Sequence, residues 1–374
     1  MPGRRLSGTE RAWLAADRLC PPFVNQQLIE GTGTLDFDLL ADAVARAAAV
    51  QPGVRLRLRG WLGATRWSTD GPPPLVTRIE GDDTEALARR LDPRHGPIAE
   101  VLLLDGPRVV FRTHHAALDG RGAGLFSADV FRALRGEPLL GALAGPLTDV
   151  DLTSTASAAP PAEAIWRAPM GIPTEQTFAV AWRRRRISGP TRQLLPRALS
   201  ALHTASLAHG DGPLRVGIPV DLRRHRPGLR ASGNLTGIAH LVLDGGDPAQ
   251  ALTEAIDGDG AAAAVQAAAA LRGVPLWLMA AVGGRHARQG LKTGRFSTSA
   301  TLSNLGRQDL VSLSGGGFQA TGSLWIPPGQ PGLPLFLTLS GDQDGFDLTG
   351  SAPVGLASEG RLDQLLDAMA AALS

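Results

Sequence analysis

The sequence predicts an α/β protein built from two comparable halves, and three observations lead there. Helical periodicity and strand alternation are mixed along the whole chain. A stretch rich in Pro, Ala, Ser and Thr, residues 137–176 with Ala-Pro-Pro at 159–161, interrupts that pattern near the middle. The segments beyond it repeat the plan of those before it. The division gives units 1–160 and 161–374, and a chain of 374 residues suits two units of that size. No regular βαβ alternation with glycine-rich strand ends appears, which argues against a dinucleotide-binding sheet.

The elements follow in order. Ser7 or Thr9 caps a first helix running to about residue 19. In DFDLLADAVARAAAV, Asp36 or Asp38 caps a second, and Leu39, Leu40, Ala43, Val44 and Ala47 recur on one face before Pro52 and Gly53 end it. Residues 54–60, VRLRLRG, alternate strictly and predict a half-exposed strand. A short helix at 84–91 precedes strands at 98–104 and 108–114, joined by the turn residues Asp105, Gly106 and Pro107. A helical pattern then runs from Asp119 to about residue 135. Beyond the linker come strand 182–187, helix 190–208, strands 213–220 and 236–243, an alanine-rich helical region over 248–290, further strands and a C-terminal helix over 359–373.

Composition narrows the function classes. Hydrophobic residues make up 43% and charged residues 19%, with a mean hydropathy of +0.01, values of a globular chain. The pI of 9.4 suggests a polyanion partner, but 37 cationic residues against 35 acidic ones leave a net charge of only +2. No nucleic-acid partner is therefore expected. Lys292 is the only lysine, so the cations are almost all arginine, a compositional bias without mechanistic content. The lone cysteine, Cys20, excludes an intrachain disulfide and any cysteine-rich zinc site, and it fits a reducing compartment. Arg4 and Arg5 precede an amphipathic helix rather than an apolar signal segment, and no run reaches eighteen apolar residues. A cytoplasmic monomer without a membrane partner is the expectation.

One segment carries chemistry. FRTHHAALDGRGAG, residues 111–124, places His114, His115, Asp119 and Gly120 in the arrangement HHxxxDG. With 8 histidines and 46 glycines in the chain, such a four-point match arises by chance about 0.001 times. Adjacent histidines at a strand end point to opposite faces, so the two cannot share one substrate, and one of them is structural. Imidazole, with its pKa near neutrality, suits the removal of a proton from an amine or alcohol as it attacks a carbonyl. Gly120 would allow close approach of a substrate or backbone.

HHAALDG resembles the motif shared by peptide-synthetase condensation domains, chloramphenicol acetyltransferase and related thioester-dependent acyltransferases. IPVDLRRHRPGLRASGN (218–234) resembles the Arg and Gly-Asn segment of that superfamily's second half, and TLSNLG (301–306) its later Ser-Asn strand. The resemblance implies an α/β fold, an α+β two-layer sandwich in each half, with the halves forming a V around a central tunnel. It implies His115 as general base, with His114, Asp119 and Gly120 supporting it. Asp119 would pair with an arginine rather than with the histidine, and Arg223 is the candidate. Ser303 and Asn304 either contact the substrate or its oxyanion, or end a strand for turn reasons. No permanent cofactor or metal is implied. The co-substrate would be an acyl-CoA or a carrier protein's phosphopantetheine thioester, and the acceptor a small-molecule amine or alcohol, in natural-product biosynthesis.

The chain departs from the pattern in its shorter length, in Arg121-Gly122 after the motif, and in TLSNLG replacing an aromatic-rich segment. These departures lean toward a free-standing enzyme. They also keep open a condensation-fold protein without acyl transfer, either a carrier-protein binding module or a catalyst of cyclisation or rearrangement. Arg183 to Arg186 would grip a CoA phosphate or an acidic carrier, or else form a solvated strand edge. The remaining histidines lack ligand spacing, so no metal centre is expected.

Overall fold

Some helix starts in this chain are capped by side chains that satisfy the first free N–H groups. The computed structural model describes residues 3–61, 64–143, 147–153, 157, 163 and 165–374. Ser7 and Glu10 form a reciprocal capping box at the start of α1 (Gly8–Leu19), and Asp36 caps α2 (Phe37–Val50) through the Leu39 N–H. The helices α3 (Thr84–Ala88), α4 (Gly120–Leu134) and α5 (Leu194–Ser206) follow. The alanine-rich region is three helices rather than one: α6 (Pro248–Asp257), α7 (Gly260–Ala269) and α8 (Leu276–Thr293). Gly258 breaks the first junction and Gly273 to Pro275 the second, where propensity for helix is lowest. A short α9 (Val354–Ala357) leads into α10 (Arg361–Leu373).

Two mixed sheets carry these helices. The first comprises β1 (Val24–Gly33), β2 (Leu75–Ile79), β3 (Ala99–Leu104) and β4 (Arg108–His114). The second comprises β5 (Val180–Ile187), β6 (Leu214–Asp221), β7 (Thr236–Leu243), β8 (Ala300–Arg307), β10 (Phe336–Gly341) and β11 (Phe346–Pro353), in the order β7-β6-β8-β10-β11-β5. The strand between the last groups, β9 (Phe318–Ile326), leaves the second half and joins the first sheet, whose order is β9-β1-β4-β3-β2. It runs antiparallel to β1, with Trp325 opposite Gln27. Residues 54–60 differ from the expected strand. Pro52 opens a 3₁₀ turn over Pro52–Arg55, and only Arg57–Arg59 is paired as a strand, although Val54, Leu56 and Leu58 are buried as their alternation requires. Part of the 137–176 stretch, including 159–161, lies outside the described residues.

Each sheet covers its own core. Leu14, Val44, Phe111, Phe126, Phe131 and Phe318 pack in the first, and Leu199, Val216, Leu302, Leu337, Leu366 and Met369 in the second. The halves meet along β9 and β5. Thr338 Oγ1 donates to the Trp325 carbonyl (2.7 Å), and Arg184 spans Glu30 of β1 and Asp347 of β11 at 2.8 and 2.6 Å. All four arginines of 183–186 are engaged by carboxylates, so none of them is free to hold a phosphate. No helix among the described residues is long and apolar enough to cross a membrane.

Candidate active site

The last residue of β4 is His114, and the turn that follows carries His115 into a cavity of about 640 Å³ between the halves. Its walls come from α1, β1, α4, β6, β8 and β9, represented by Trp13, Asn25, Gly124, Pro219, Ser303 and Trp325. The dimensions and mixed polarity suit a small-molecule site.

The two histidines part ways as adjacent residues at a strand end must. His114 has no exposed surface. Its Nδ1 accepts the Ala116 N–H (3.2 Å), which places the ring proton on Nε2, 3.6 Å from Asp17 Oδ2, an electrostatic contact too long for a hydrogen bond. Asp17 is itself held by Arg90 at 2.7 Å. His115 is half-buried against two rings, stacked on Phe23 (5.3 Å, 27°) and tilted against Trp13 (5.8 Å, 45°). Its main chain is pinned on both sides: the N–H donates to the Phe23 carbonyl (3.0 Å), and the carbonyl accepts Asn234 Nδ2 (2.7 Å). The ring's Nδ1 is sealed from solvent and has no hydrogen-bond partner among the described residues, which leaves Nε2 as the ring nitrogen that can serve the cavity. Burial lowers the His115 pKa below the ordinary imidazole value, opposed by its own backbone and by the charge of Asp119. The ring is therefore neutral near pH 7.

Asp119 does not touch His115. It caps α4 through the Gly122 N–H (2.7 Å) and also accepts from the Leu235 N–H (2.8 Å) and Thr236 Oγ1 (2.9 Å). Arg223 meets it with two parallel bonds, 2.9 Å to Oδ2 and 3.1 Å to Oδ1. Burial works against the carboxylate's charge, but Arg223 and these donors outweigh it and hold the group below the usual carboxylate range. Arg223 also donates to the Ala231 and Gly233 carbonyls, so one ion pair fixes the segment that delivers Asn234.

Gly120 lines the cavity beside Leu305, but the close backbone approach expected there falls at Gly122, where an added Cβ would lie 2.7 Å from the Ser232 carbonyl oxygen. Ser303 and Asn304 both line the cavity. Asn304 Oδ1 accepts the Gly306 N–H (3.0 Å) in a turn, whereas the Ser303 hydroxyl has no partner among the described residues. Trp13, Phe23 and Asn234 escaped the sequence reading. Asn234 stood at the end of a quoted segment, but nothing in a lone aromatic on an amphipathic helix marks Trp13 as a wall of a site. Among the described residues, no group of three or more His, Cys, Asp and Glu side chains is arranged to hold a metal ion.

No family model and no curated protein matches this sequence. Solved structures do match, over the whole chain. The condensation domain from the Monacolin K polyketide synthase MokA has a TM-score of 0.66 at 14% identity, covering 100% of this chain and 97% of that one. The epimerization domain from the third module of tyrocidine synthetase B scores 0.63 at 15% identity, covering 100% and 95%. A mutant starter condensation domain of rhizomide synthetase RzmA, solved with C8-CoA and Leu-SNAC, scores 0.61 at 16% identity, covering 100% and 95%. The chain therefore has the condensation-domain fold: an α/β molecule of two chloramphenicol-acetyltransferase-like halves.

Proposed function

We propose that this chain is an acyltransferase that moves an acyl group from a CoA or carrier-protein thioester to an amine or hydroxyl acceptor, with His115 as general base. The condensation-domain fold supports acyl transfer in general, since a neighbour of that fold is solved with an acyl-CoA. The observation that carries the reading for this chain is the single neutral imidazole whose Nε2 can serve the cavity between the halves. Nε2 takes the acceptor's proton as its nitrogen or oxygen attacks the thioester carbonyl. The new C–N or C–O bond forms, the C–S bond breaks, and the proton passes from Nε2 to the departing thiolate. Asn234 and Phe23 hold the main chain of His115, Asp119 and Arg223 hold Asn234's segment, and the Ser303 hydroxyl is the donor we assign to the developing oxyanion.

Screening acyl thioesters, octanoyl-CoA among them, against amine and alcohol pools by mass spectrometry supplies the assay. His115→Ala is expected to cut turnover by about 10²–10⁴ with an unchanged thermal unfolding curve. Retained turnover would remove the base. Because an epimerization domain shares the fold, proton exchange without acyl transfer is the alternative. Uptake of solvent deuterium into an aminoacyl thioester, with no condensed product, would favour it.

A further inference from the structure

We infer that Arg121 and Arg307 form an anion-recognition rim at the mouth of this cavity, which binds a charged oxyacid group of the substrate. The inference rests on the acyltransferase reading only for the identity of that substrate, either the phosphate of a pantetheine-type donor or the carboxylate of an acceptor.

Three arginines line the cavity: Arg121, Arg230 and Arg307. Arg230 is engaged, bonded to the Gly141 carbonyl and to Asp129 (3.3 Å). Arg121 and Arg307 are exposed and have no ion pair or hydrogen bond among the described residues. This contrasts with Arg183 to Arg186, where every guanidinium meets a carboxylate. The two free cations belong to one rim. Arg121 lies in the first turn of α4 and Arg307 ends β8, and these elements touch where Gly120 faces Leu305, with 3.1 Å between an added Cβ and Leu305 Cδ2.

The acidic residues of the wall do not neutralise them. Asp119 is bound to Arg223, Asp221 is paired with Arg223 at 2.9 Å, and Asp309 accepts the Val311 and Ser312 N–H groups. The α4 N-terminus is not itself the receptor, because the Asp119 carboxylate already occupies it. What remains is two planar guanidiniums beside an opening that leads to His115, and their forks match phosphate and carboxylate oxygens.

Calorimetric binding to two ligand pairs tests this. 4′-Phosphopantetheine against pantetheine isolates the phosphate, and N-octanoyl-leucine against N-octanoyl-leucinamide isolates the carboxylate. In the wild-type protein the anionic member of one pair is expected to bind about tenfold more tightly than its neutral partner, the scale of one charge-assisted hydrogen bond. The pair that discriminates names the source. The Arg121→Gln/Arg307→Gln variant is expected to lose that preference, and rising salt to weaken it in the wild type. No preference in either pair, or a preference that survives in the double variant, overturns the inference. His115→Ala is expected to keep the preference, so a failure of the base and a failure of the rim read out separately.

Discussion

At the residue scale, the behaviour of His115 follows from what surrounds it rather than from its neighbours in sequence. Two aromatic rings exclude water from one side of the imidazole, and burial lowers its pKa. A general base acts in its neutral form, so in the proposed role of His115 the acid limb of kcat/KM is expected to have its midpoint below the ordinary imidazole value of 6.5. A midpoint at or above 6.5 would show that another group, or an exposed histidine, sets the rate. Asp149 behaves in the opposite sense. It is 1% exposed and close to Glu10, and burial pushes its carboxyl up to about 6 from 3.8. Its Oδ1 accepts the Val150 N–H, whereas Oδ2 meets no donor in good geometry, though Ser7 and Thr9 lie near enough to favour the charge. A folded-state pKa above the unfolded one means that the native state binds the proton more tightly, so stability falls as pH rises between about 4 and 6. Asp149→Asn is expected to raise stability at pH 8 by on the order of 1–3 kcal/mol and leave it nearly unchanged at pH 4, as read by urea denaturation. Equal effects at both pH values would remove the titration.

At the element scale, α4 illustrates what a helix does for the site. Asp119 caps it, and its Gly122 lies against the backbone of Ser232. Alanine favours a helix over glycine by about 1 kcal/mol, but a methyl at 122 would have to displace a carbonyl rather than a flexible side chain, at about 1–3 kcal/mol. Gly122→Ala is therefore expected to destabilise, whereas Gly124→Ala, with its nearest neighbour at 3.9 Å, gains from propensity. Equal midpoints of denaturation for the two variants would contradict that packing. Elements of this kind were legible in the sequence where the cap and the periodicity agreed, as in Ser7 with α1 and Asp36 with α2. They were least legible where propensity was uniform. Alanine-rich residues 248–290 look like one helical tract, and only the packing, with α6 and α7 on β7 and α8 on α1, shows how the glycine and proline breaks are used.

At the scale of the whole molecule, the two halves are not independent. Strand β9 completes the first sheet from the second half and carries Phe318 into the first core, where it stacks on Phe131 at 5.9 Å. Without it, β1 would present an open edge and the core would lose an aromatic ring. A fragment of residues 1–160 is expected to aggregate or to unfold without a sharp transition, and co-expression with 161–374 to restore a cooperative one. A monomeric fragment with its own sharp transition would show that the crossing strand is dispensable. Arg184 works at the same seam: Asp347 is buried, and removing the guanidinium would leave that carboxylate to Arg186 alone.

Local chemistry decided much of this protein. Caps, alternation and turn residues set most elements, and HHxxxDG marked one histidine pair out of eight histidines because its spacing is short enough to read along the chain. Tertiary structure decided what spacing cannot encode. It selected Arg223 among 36 arginines as the partner of Asp119, placed Trp13 and Phe23 on His115, sent β9 across to the other sheet, and left Arg121 and Arg307 on the cavity lining without an ion-pair partner among the described residues. The reason is physical. Capping and periodicity act over a few residues, whereas burial, pairing and cavity walls depend on which distant surfaces exclude water together.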